Sequence, residues 1–193
     1  MNLIGRVKNI LMTPKTEWQV ISAEEPNTKQ IFMGYVLPLA LLPAVASALG
    51  WGIFGMGHGS SFAYGLSAGL VTLISAFVGV YLAAFIIDQL APSFSSQKNM
   101  GRAVQLVAYS YTPAWVGGIL NIIPVIGWIG GLVALYGLYL LYLGIPPIMK
   151  TPQDKTVPYM IVSIVVLLVV YLVVGAVLGM LVFGIFGVSA MTF

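Results

Sequence analysis

Along this chain the apolar residues seldom alternate with polar ones. They run in long blocks broken by short polar or glycine-rich stretches, the pattern of helices apolar all round. Between Gln30 and Gln97 the single charged residue is Asp88. A helix needs about 20 apolar residues to cross a bilayer core, so that stretch holds two crossings and a turn between them. The glycine-rich run GWGIFGMGHGSS, residues 50–61, supplies the turn. It separates expected spans over 31–53 and 62–88, and the same reading gives spans over 103–120, 128–147 and 158–186. The pattern predicts an all-α, polytopic membrane bundle of five transmembrane helices over residues 31–189, behind a lead-in of residues 1–30.

The lead-in is amphipathic. Leu3, Ile4, Val7, Ile10 and Leu11 share one helical face, with Asn2, Arg6 and Lys8 nearer the other. This suits a short interfacial helix resting on the bundle or on lipid. Thr13 as N-cap, Pro14 at the first helical position and Glu17 in the first turn predict a second short helix carrying Trp18 and Ile21, closed by Glu24, Glu25 and Pro26. The opening residues lack the apolar core and small-residue cleavage site of a signal peptide, so the lead-in is expected to be retained.

Within the spans, Pro38 and Pro43 predict a kink in the first, Thr112-Pro113 loosens the third, and Gly144 with Pro146 and Pro147 is expected to end the fourth. Small residues at helical spacing let helices approach closely: Ala40, Ala44, Ala48 and Gly52 on the first span, then Gly65, Gly69 and Gly79, Gly127 and Gly131, Gly175 and Gly179 on later ones.

Composition agrees with the pattern. With 60% hydrophobic and 7% charged residues, the chain cannot cover a core with a water-compatible surface. All eight Lys and Arg fall in three places: Arg6, Lys8, Lys15 and Lys29 before the first span, Lys98 and Arg102 between the second and third, Lys150 and Lys155 between the fourth and fifth. Under the positive-inside rule the N-terminus is cytoplasmic and the C-terminus outside. Scattered along membrane boundaries, these cations do not form a nucleic-acid face. The absence of cysteine removes disulfides and thiolate chemistry, and one histidine, His58, makes neither a metal site nor a catalytic triad; it reads as a solvated turn residue. No HExxH, GxSxG, Walker or GxGxxG motif is present, and no two acids share a membrane region. No enzyme and no cofactor is expected.

Three features carry candidate chemistry. Asp88, the one acid between Glu25 and Asp154, is a boundary residue satisfied by water, Lys98 or Arg102, or else an ion- or proton-coupling group or a member of a polar network with Gln105. Pro113 and Pro124 bracket either a kinked helix with a tight turn or a broken-helix ion site around Gln105, Thr112 and Asn121. Tyr136, Tyr139 and Tyr142 recur every third residue, a row that lines a cavity with hydroxyls or packs against neighbours.

DQLAP at 88–92, YTPAWVGG at 111–118, IPVIG at 123–127 and YGLYLLYLGIP at 136–146 together resemble the Yip1 domain family. The similarity covers roughly residues 5–180, and the family's layout is likewise five spans with a cytoplasmic N-terminus. The short lead-in looks like the bacterial branch, small inner-membrane proteins. Eukaryotic members have a long cytosolic N-terminal region, bind prenylated Rab GTPases and act in vesicle traffic; the resemblance does not carry that partner across. It implies a five-helix membrane protein of the family, and the whole reading expects a non-enzymatic protein that organises membrane or binds other membrane proteins through its small-residue helix faces, in contact with lipid and with copies of itself or other membrane chains. The alternative is a small oligomeric transporter or channel for an ion, a proton or a lipid, using Asp88 and the disturbed third helix.

Overall fold

The computed structural model of the chain describes residues 2–54 and 62–182, with side chains up to residue 173. All regular structure among them is helical. The chain opens with α1 (Leu3–Met12), capped by Asn2, whose Oδ1 accepts the Gly5 amide at 3.2 Å. Pro14 then starts α2 (Pro14–Ala23) at a position where a missing N–H costs nothing.

A continuous helical path follows from α3 (Thr28–Ile31) through a π turn (Phe32–Val36) into α4 (Leu37–Phe54). The Leu37 amide reaches back five residues to the Phe32 carbonyl, directly before Pro38, which has no N–H to offer. Next, α5 (Phe62–Leu90) closes in a 3₁₀ turn, Ala91–Phe94. Asn99 caps α6 (Met100–Ser110) through its Oδ1 on the Arg102 amide. After a break come α7 (Thr112–Gly117) and 3₁₀ turns at Gly118–Ile122 and Pro124–Ile126. Then α8 (Gly127–Ala134) and α9 (Tyr136–Met149) run on with an offset at Leu135, and α10 (Gln153–Val182) completes the described chain.

Four of these paths are long and apolar enough to cross a membrane: Thr28–Phe54, Phe62–Phe94, Pro124–Met149 and Gln153–Val173. The expected span over 103–120 is not one uninterrupted helix. Pro113 has no N–H for the Tyr109 carbonyl one turn back, so α6 stops at Ser110. Thr112 fills the gap: its Oγ1 donates to the Tyr109 carbonyl at 2.7 Å.

Two boundaries differ from expectation. Pro146 and Pro147 lie inside α9 instead of ending it, a loss of two helical donors that membrane-length helices tolerate, and the stop is Lys150 in the left-handed conformation at φ 56°. Residues 51–54 continue α4 into the expected turn; residues 55–61, His58 among them, lie outside the described residues, as does the tail after Val182. Gly175 and Gly179 belong to α10, but their surroundings lie outside the described side chains.

One end of the bundle gathers the ends of α5 and α9 and the starts of α6 and α10, and with them Lys98, Arg102, Lys150 and Lys155. There the two loops are stitched together. The Gln97 amide donates to the Met149 carbonyl at 2.8 Å, the Ser96 and Thr151 hydroxyls meet at 2.7 Å, and Lys155 Nζ donates to Ser95 Oγ at 2.7 Å. The Phe94 and Tyr159 rings stack at 4.9 Å.

The lead-in helices dock onto the bundle. Ile10, Trp18 and Ile21 are fully buried, and the Trp18 ring lies over Gly144, where a Cβ would come within 2.8 Å of it. The Tyr136 hydroxyl donates to the Leu11 carbonyl at 3.0 Å. Tyr136 starts α9, so Leu11 sits about 20 Å down that helix from its basic end at Met149. The hairpin of α1 and α2 thus reaches down alongside α9.

Candidate functional site

Asp88 occupies the last turn of α5, where Ile87 and Ala91 are also buried. It is 5% exposed. Its Oδ2 accepts a long bond from Gln89 Nε2 at 3.4 Å, and its Oδ1 is buried with no hydrogen-bond partner among the described residues. Neither expected cation reaches it. Lys98 Nζ donates to Gln89 Oε1 at 2.8 Å, and Arg102 donates to the Ser22 carbonyl at 3.0 Å and to Gln105 Oε1 at 3.3 Å. Against the same turn lies Tyr159, whose hydroxyl donates to the Ile87 carbonyl. A buried carboxylate oxygen without a donor is costly unless water, an ion or a proton satisfies it.

A second polar cluster lies under the lead-in. Arg6 Nη1 donates to Glu17 Oε1 at 2.6 Å, its Nη2 donates to Glu24, and Asn9 Nδ2 donates to Glu17 Oε2 at 3.1 Å. The guanidinium carbon stands 5.5 Å from the centre of the Tyr109 ring. Burial works against the charge on Arg6, but the Glu24 hydrogen bond and the neighbouring charges outweigh it and hold its pKa above the usual value. Placing Arg6 on the polar face of the lead-in missed this. Leu3, Arg6 and Ile10 recur at spacings of three and four, so the signal was present, and charge alone had moved Arg6 to the other side.

The four candidates of the polar site are held in different places among the described residues. Gln105, 2% exposed, donates to the Ile21 carbonyl at 3.4 Å and so ties α6 to α2. Thr112 accepts from the Tyr35 hydroxyl at 2.7 Å while it donates to the Tyr109 carbonyl, linking the π turn to the break before α7. Asn121 lies in the 3₁₀ turn at the far end of this path, where its Oδ1 would stand 2.8 Å from a Cβ on Gly127. Asp88 keeps its own corner.

The glycines fall into distinct settings. A Cβ on Gly65 would lie 2.7 Å from Gly52 Cα, and one on Gly69 would lie 2.8 Å from the Ala44 carbonyl oxygen, so both sit where α5 crosses α4. A Cβ on Gly79 would lie 3.2 Å from the Tyr171 hydroxyl, and one on Gly131 would meet open space. Of the tyrosine row, Tyr136 is tied to Leu11, while Tyr139 and Tyr142 are 42% and 41% exposed.

No curated protein and no solved structure matches the chain. The model of the Yip1 domain family matches it over residues 8–176, from the middle of α1 into α10. That match takes in most of the docked hairpin, the stitched loops around Asp88 and the broken path through Thr112, and with several membrane-length helices it makes this multi-pass integral membrane protein a member of the Yip1 domain family.

Proposed function

We propose that the protein is a non-enzymatic, Yip1-type organiser of the membrane that binds other membrane chains, itself included, through its outward helix faces. It crosses the bilayer five times, with its N-terminus in the cytoplasm of a bacterium and its C-terminus beyond the inner membrane. The broken path supports the fifth crossing. Gly101 lies beside Pro26 at the basic end, and the Ile122 carbonyl oxygen would stand 3.0 Å from a Cβ on Gly50 near the far end of α4. At 1.5 Å per residue the path from 28 to 50 on the first span measures about 33 Å, close to the thickness of a bilayer core.

The observation that carries the reading is the division of α5 into two faces. Gly65, Gly69, Gly79 and Ala83 turn inward, while Leu66, Leu70, Ile74 and Val78 form an exposed row at four-residue spacing. In lipid such a row has no solvent to avoid, so it is free to receive a neighbouring helix. The unpartnered Oδ1 of Asp88 favours a second reading, a proton- or ion-coupled transporter. One reconstitution separates them. Liposomes holding the full chain, Asp88→Asn, or Leu70, Ile74 and Val78 all replaced by Ala are assayed for proton and cation flux and for cross-linked association. Association lost in the triple variant, with no flux above empty liposomes, is the expected result. Flux that disappears in Asp88→Asn would sink the organiser reading in favour of transport.

A further inference from the structure

Between α5, α6, α9 and α10 lies a cavity of about 130 Å³ with almost wholly apolar walls. Its inner wall is Ala83, Ile87 and Val107, each buried, and at its edge stand Leu138 and Leu168, 43% and 57% exposed. The edge residues belong to membrane-length paths, so the mouth opens sideways toward bilayer hydrocarbon between α9 and α10. Two polar side chains, Tyr111 and Ser163, are among the cavity lining. Ser163 is 4% exposed, and of the two its Oγ is the fully buried polar atom without a partner among the described residues. An empty apolar pocket leaves that hydroxyl unsatisfied, and so does a pure hydrocarbon. A ligand with an apolar body and one acceptor satisfies both walls and hydroxyl.

We infer that the cavity holds one acyl chain of an anionic bilayer phospholipid, its ester carbonyl accepting from the Ser163 hydroxyl and its phosphate resting on the loop between α9 and α10. The loop has the right sign. Lys150 is exposed, and Lys155 spends one donor on the neutral Ser95 hydroxyl, leaving two; Asp154 is the one acid beside them. Ser163 follows Lys155 on the same helix, about 12 Å along its axis, and a lysine side chain extends over part of that distance. This goes beyond the organiser reading and does not depend on it, because a seated lipid is compatible with a scaffold or a transporter.

The test uses the full-length chain in phosphatidylcholine vesicles doped with phosphatidylglycerol carrying a diazirine midway along one acyl chain. After irradiation, adducts are mapped by peptide mass spectrometry. Adducts are expected on Val107 and Leu138 in excess over the outward Leu172, and unlabelled phosphatidylglycerol is expected to compete better than phosphatidylcholine. Ala83→Phe fills the cavity and should remove those adducts while sparing the outward ones. Should that variant fail to fold, Ser163→Ala decides, with an expected loss of about fivefold, the worth of one hydrogen bond. Equal labelling of cavity and outward faces, equal competition by the two lipids, or full labelling of Ser163→Ala would overturn the proposal. So would a disulfide-linked dimer of Ser163→Cys in this cysteine-free chain, which would give the cavity to a second copy.

Discussion

The basic end of the bundle and its opposite half are built from the same kinds of apolar residue and packed in different ways. At the basic end Trp18, Tyr109, Leu106, Met149 and Tyr159 are all but fully buried, and loops, lead-in and helices are tied by side-chain hydrogen bonds. Along the opposite half Phe62, Trp128, Leu172 and Val125 are 85%, 66%, 73% and 64% exposed, and α4 meets α5 there by close backbone approach at Gly65 and Gly69 and by the edge-on Trp51–Tyr64 ring pair at 5.9 Å. The difference follows from the surroundings. Against water, burying apolar area drives assembly and polar groups must find partners. Against lipid the tails are as apolar as leucine, so apolar burial gives no drive and close packing, tightest where small residues bring backbones together, holds the helices.

The hardest test of this contrast is the crossing of α4 and α5. Gly65→Leu would drive a side chain into Gly52 and the Ala48 carbonyl, which are backbone and cannot rotate away. Loss of monodisperse, folded protein in detergent is expected. Gly131→Leu, where a Cβ meets nothing within 4 Å, should leave elution and thermal unfolding unchanged. If both variants behave alike, close approach through glycine is not what holds the lipid-facing half.

The next effect in size belongs to the basic end. Glu17→Gln leaves Arg6 buried with a weaker partner, and uncoupling a buried ion pair costs about 3–5 kcal/mol at the upper end. Glu24 still pairs with the guanidinium and should hold the loss nearer the lower figure. Replacing Arg6 by Met and Glu17 by Leu together is expected to recover most of it. Denaturant unfolding of the three proteins measures the difference, and a single variant as stable as wild type would show that the cluster is open to water.

How much of this was legible in the sequence depends on which half is considered. Blocks of apolar residues announce a multi-pass helical membrane protein, and four membrane-length helices are found, because length and hydropathy are all that crossing lipid requires. The small residues at 65 and 69 fall at the α4–α5 crossing for the same reason of periodicity. The basic end was less legible. Burial of Arg6 depends on which helix covers it, and Glu17 and Glu24 become partners only once α2 has turned back along α1. The cavity around Ser163 arises from four helices far apart in sequence, and the face of α9 that lines it carries Leu138 and Leu141, not the tyrosine row that stood out in the sequence.

The smallest expected effect tests the joint between the two halves. Pro113 deprives the Tyr109 carbonyl of its helical donor, and Thr112 restores one while accepting from Tyr35. Thr112→Val keeps the shape and removes the hydroxyl, taking one donor from the Tyr109 carbonyl and the acceptor from the buried Tyr35 phenol. Such losses cost about 1–3 kcal/mol apiece when nothing relaxes. Helix breaks relax more readily than helices, so a net loss of about 2 kcal/mol is expected, with Thr112→Ser restoring most of it. Hydrogen exchange gives the sharper readout. If Thr112 is the joint, the Tyr111 amide, which bonds to the Val107 carbonyl, and the Trp115 amide, which bonds to the Tyr111 carbonyl, should lose protection in Thr112→Val while amides in the middle of α5 keep theirs. Uniform loss along both helices would mean that the hydroxyl supports the whole bundle, and the division into two differently packed halves would have to be redrawn.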